Sequence, residues 1–70
     1  MIKYLVRLFN SKHKVVLEYA LDRPINASSV KYVKLLMIEF DAVTADFHKV
    51  KETVDHYLVD SASVKTINLK

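Results

Sequence analysis

Residues 46 to 60 read DFHKVKETVDHYLVD and contain the one arrangement of side chains that invites a chemical reading. If this stretch is helical, His48, Glu52 and His56 fall in line one turn apart, on the side opposite the apolar residues. Imidazole and carboxylate at that spacing can chelate a divalent cation. His48 and His56 lie eight residues apart, or about 12 Å along a helix axis. They cannot share an ion, so Glu52 with one histidine is the most the helix offers, and Asp55 is a poor third ligand. Zinc needs three or four ligands, and no metal site and no cofactor are expected. The line reads as the hydrated side of an amphipathic helix.

Nucleophilic and acid/base chemistry find no better footing. Ser28, Ser29, Ser61 and Ser63 sit where caps and turns are expected, and Glu39, Asp41, Asp46, Glu52, Asp55 and Asp60 are spread as solubilising charge. A chain of 70 residues without a single glycine contains no Walker loop, dinucleotide fingerprint or nucleophile elbow, each of which needs glycine for close backbone approach or a sharp turn. A body this small also leaves little room for a substrate cavity. These residues point away from an enzyme and towards a binding protein.

The elements that would position a binding surface follow from periodicity. Ile2, Tyr4, Val6 and Leu8 alternate with Lys3, Leu5, Arg7 and Phe9, and Val15, Leu17, Tyr19 and Leu21 alternate with Val16, Glu18 and Ala20. Two period-two runs around a polar loop predict a β-hairpin. Pro24 closes it, and Ser28 or Ser29 is a candidate N-cap for a helix whose stripe is Val30, Val33, Leu36, Met37 and Phe40. Thr44 or Asp46 would cap a second helix, with Phe47, Val50, Val54, Tyr57 and Leu58 as its apolar stripe. The tail SVKTINLK alternates and is β-branched, which predicts a strand beside the hairpin with Ile67 and Leu69 inward. The expected fold class is α+β, a small antiparallel sheet of β-hairpin plus C-terminal strand packed on two helices in ββααβ order, as a single domain over residues 1–70.

Seventy residues lie near the lower size for a self-sufficient core, and with no cysteine there is no disulfide to help. Self-association or a partner is the remaining support, and a homodimer is expected. No apolar run reaches the length of a membrane span and none has the form of a signal peptide, which predicts a soluble cytoplasmic protein with no membrane partner.

Two surfaces are left over for a partner. Leu35 and Ile38 fall off the main stripe of the first helix, and Leu5 and Phe9 share the outer hairpin face with Arg7. These five residues are the predicted protein interface, with apolar groups anchoring and cations steering. The alternative is a nucleic-acid surface. Residues 1–34 hold seven basic and two acidic side chains and residues 35–70 four and six, giving +5 and −2 and so the net +3. Lys3, Arg7, Lys12, Lys14, Lys31 and Lys34 are the cations that would meet phosphate. In size and composition the chain resembles the small effectors with which bacteriophages redirect host proteins, which implies a regulator or inhibitor of a protein partner.

Overall fold

The computed structural model describes residues 3–52 and 56–69, without the side chain of Glu52. Ile2, Val54 and Asp55, assigned above to a strand face, a helix stripe and a ligand set, lie outside the described residues. The chain folds as β1 (Tyr4–Phe9), β2 (Val15–Leu21), α1 (Ala27–Glu39), β3 (Thr44–Glu52) and β4 (Tyr57–Asn68). All four strands form one antiparallel sheet in the order β2-β1-β3-β4, so the order is ββαββ and the protein is mainly sheet.

The β1–β2 connection solves a tight turn without glycine. The Asn10 carboxamide oxygen accepts from the Lys12 and Lys14 amides at 2.9 and 3.1 Å, and the Asn10 amide donates to the Lys14 carbonyl at 2.9 Å. His13 takes the left-handed conformation, at φ 61°. A register shift then opposes Leu8 to Leu17 and Phe9 to Val15, which leaves Val16 as the extra residue. Val16 and Leu17 both pack against the core. Strict alternation would set Val16 beside Glu18 and Ala20 on the other face; the bulge turns it inward.

Helix α1 begins two to three residues earlier than the serines suggested. Asn26 is the N-cap, its side chain accepting from the Ser29 amide at 2.9 Å while the Ser29 hydroxyl accepts from the Asn26 amide at 2.9 Å. Ser29 thus closes a capping box from the third helical position. The other end is a Schellman motif: the Ala42 amide donates to the Met37 carbonyl at 2.8 Å and the Asp41 amide to the Ile38 carbonyl at 3.4 Å. Asp41 has φ 58°, where a β-carbon costs energy and glycine does not. Asp41→Gly is expected to raise stability by about 1 kcal/mol, visible as a melting temperature higher by roughly 4–8 °C.

The core lies between α1 and one sheet face. Val6, Leu8, Ala45, Phe47, Val33 and Met37 are fully buried, joined by Leu21, Ala42 and Ile67. Val6 opposes Phe47, and Leu8 opposes Ala45. The predicted second helix is overturned here, and with it the ββααβ order. Residues 44–52 form a strand because the sheet needs them: Ala45 and Phe47, two residues apart, close the core against β1, and β3 fills the second edge of β1. The tail does become a strand with Ile67 inward, but it pairs with β3 rather than with the hairpin, and Leu69 stays 37% exposed.

Candidate interface

The opposite, helix-free face of the sheet carries three rows that run across the strands. Glu18, Arg7, Asp46 and Thr66 make the middle row. Arg7 Nε donates to Glu18 Oε2 at 2.9 Å, and Thr66 Oγ1 donates to Asp46 Oδ1 at 3.0 Å. Above it stand Val15, Phe9, Thr44 and Asn68, with Thr44 Oγ1 3.1 Å from Asn68 Oδ1. Below it stand Ala20, Leu5, His48 and Ser63. The middle row holds one cation and two carboxylates, so this face is not basic. Leu5 and Phe9 are half-buried by their cross-strand neighbours.

His48 occupies a different setting from the one predicted. On β3 it is 7% exposed, and its Nδ1 lies 2.9 Å from the Asp60 carbonyl. A carbonyl only accepts, so the proton sits on Nδ1. The His48, Glu52, His56 line dissolves with the helix that would have aligned it. Glu52 is the last residue of β3, and His56 immediately precedes β4. Among the described residues no group of three or more His, Cys, Asp or Glu side chains could hold a metal ion.

The predicted interface residues divide between two sides of the molecule. Leu5, Arg7 and Phe9 are on the helix-free sheet face. Leu35 and Ile38 are on the outward side of α1, 57% and 68% exposed, with the sheet between the two sets. The predicted cations scatter further. Lys3 leads into β1, Lys12 and Lys14 sit in the turn at its other end, and Lys31 and Lys34 flank Leu35 on the exposed side of α1. Only Arg7 of the six has a carboxylate partner among the described ion pairs, and an exposed pair of this kind contributes at most about 1 kcal/mol.

Sequence periodicity alone does not reveal the far end of the β3–β4 hairpin. Tyr4 opposes Lys49, and β3 runs on to Glu52 beyond the end of β1, so this end of the hairpin projects past its neighbours. Tyr57, Leu58 and Val59 on it are 50%, 49% and 37% exposed. Read on a helix, Tyr57 and Leu58 looked like core; in the sheet they lie on an edge strand. Two open surface clefts accompany these elements. One of about 440 Å³ lies between Tyr19, Arg23, Asn26 and Tyr32, and one of about 410 Å³ lies among Lys49, Lys51, Leu58 and Asp60. Among the described residues no helix is long and apolar enough to cross a membrane.

No family model, no curated protein and no solved structure matches the chain, so what it does has to be read from its own surfaces.

Proposed function

We propose that this protein is a non-catalytic binding module that regulates or inhibits a protein partner, docking it with the outward stripe of α1. The observation that carries this reading is the pairing of Leu35 and Ile38, more than half exposed, with Lys31 and Lys34 on the same side of one helix. One helical turn separates Lys31 from Leu35 and Lys34 from Ile38, so cations and apolar side chains form one stripe. A helix displaying such a stripe fits an apolar groove with an acidic rim, where the side chains of Leu35 and Ile38 anchor and the lysines speed and orient the encounter. Leu5, Arg7 and Phe9 cannot reach the same groove, since they face the other way.

Capture from a bacterial lysate, with and without nuclease, tests this reading. A protein band that survives nuclease and disappears with a Leu35→Asp, Ile38→Asp double variant is the expected result. Retention that survives that variant but vanishes with nuclease, or falls steeply with salt and with Lys14→Glu, would instead make the protein a nucleic-acid binder. Lys14 is the cleaner charge reversal, because replacing Arg7 also leaves Glu18 without its partner.

A further inference from the structure

We infer that two copies of this chain join edge to edge through β4, giving one continuous eight-stranded sheet with both helices on the same side. Strand β4 is an edge strand of twelve residues with no proline, and it carries the exposed Tyr57, Leu58, Val59 and Val64. Protected edges are usually short or heavily charged, and this one holds a single aspartate and a single lysine.

The ladder shows which of its backbone groups are open. The Leu69 amide donates to the Val43 carbonyl at 3.0 Å, so Leu69 and Ile67 turn their backbone groups to the Val43–Ala45 segment while Thr66 and Asn68 turn theirs outward. The Val50 amide donates to the Lys3 carbonyl at 3.0 Å, so Val50 faces β1 and its partner Val59 turns outward, as does Tyr57. Outward residues are therefore odd-numbered in the first part of β4 and even-numbered in the last part. The switch comes from the irregular stretch between, where β4 holds extra residues between the pairs Val50–Val59 and Phe47–Lys65.

That switch makes β4 complementary to itself. In a two-fold antiparallel pair, outward residues must oppose outward residues. A strand without the irregularity could only oppose odd to odd and even to even, and Asp60 could never meet Lys65. With it, Tyr57 opposes Asn68 of the second copy and Val59 opposes Thr66. Leu58 then lies across from Ile67, and Asp60 across from Lys65, twice over by symmetry. The pairing thus satisfies open backbone groups, covers exposed apolar side chains and matches the two charges of the strand. A bulge that usually blunts an edge here sets its register.

The test is sedimentation equilibrium on the whole chain, with circular dichroism to establish that each variant is folded. The wild type is expected to be a dimer. Asp60→Lys alone and Lys65→Asp alone each place like charges opposite one another at both symmetry-related positions, and each is expected to weaken dimerisation at least tenfold. An equimolar mixture of the two single variants is expected to dimerise again, because the introduced lysine on one copy meets the introduced aspartate on the other. Asp60 also accepts from the Ala62 amide at 3.0 Å, so Lys65→Asp is the variant to rely on if Asp60→Lys misfolds. A monomeric wild type, or a dimer that folded Lys65→Asp leaves intact, would overturn the inference. Leu35→Asp with Ile38→Asp serves as the control: it should leave the dimer unchanged whether or not the helix stripe binds a partner.

Discussion

Phe47→Ala is expected to leave the chain largely unfolded at room temperature. Phe47 is fully buried and is the largest side chain in the core, standing on β3 opposite Val6 and beneath α1. Truncating a buried phenylalanine costs about 3–5 kcal/mol, as lost transfer energy plus the cavity left behind. A domain of this length has roughly 3–10 kcal/mol in total. The loss is therefore comparable to the whole stability, and a urea titration should show the midpoint collapse towards zero. Phe47→Leu should recover more than half of the loss. A variant within 1 kcal/mol of wild type would mean that 44–52 does not close the core.

The second large effect contrasts neighbours on α1. Met37→Ala is expected to cost about 2–5 kcal/mol, because the Met37 side chain is fully buried and its truncation leaves a cavity in the core. Ile38→Ala, 68% exposed, should change stability by about 0.5 kcal/mol or less. Binding should respond in the reverse order. Ile38→Ala is expected to weaken capture of the protein partner, whereas whatever Met37→Ala does to binding should follow its loss of fold. Thermal melts beside the capture assay separate the two, and an Ile38→Ala variant that binds normally would move the contact off this stripe.

The hairpin, the first helix and the end of the terminal strand were legible in the sequence because most of their inward residues keep their period, with the bulge at Val16 and the exposed Phe40 and Leu69 as departures. Val6 and Leu8, or Val33 and Met37, each keep their period over the length that the core covers. Strand β3 was illegible for a physical reason. Its inward positions are Ala45, Phe47, Lys49 and Lys51, and only the first two lie against the core, so the alternation ends after two turns of the pleat. The outward Val50 then makes a three-residue spacing with Phe47 that imitates a helix. The helix stripe at Leu35 and Ile38 was visible as apolar residues off the main face. The β4 edge was not, since its meaning depends on a strand order and a register that no local pattern encodes. Likewise, Arg7 looked like a free cation until β1 and β2 were set in register and Glu18 fell opposite it.

The position of β1 in the middle of the sheet has a consequence for how the protein is made. Its first partner, β2, follows within a few residues, but its second, β3, lies about 40 residues downstream. At ribosomal speeds of roughly 5–20 residues per second, about two to eight seconds separate synthesis of β1 from synthesis of the strand that covers its other edge. During that interval the residues of the hairpin and then of the helix are synthesised while the strand that covers the second edge of β1 does not yet exist. Closing so long a loop is also slow compared with folding a helical bundle of the same size. The newly made N-terminal half is therefore the form in which this protein is most exposed to chaperones and to pairing with the wrong strand.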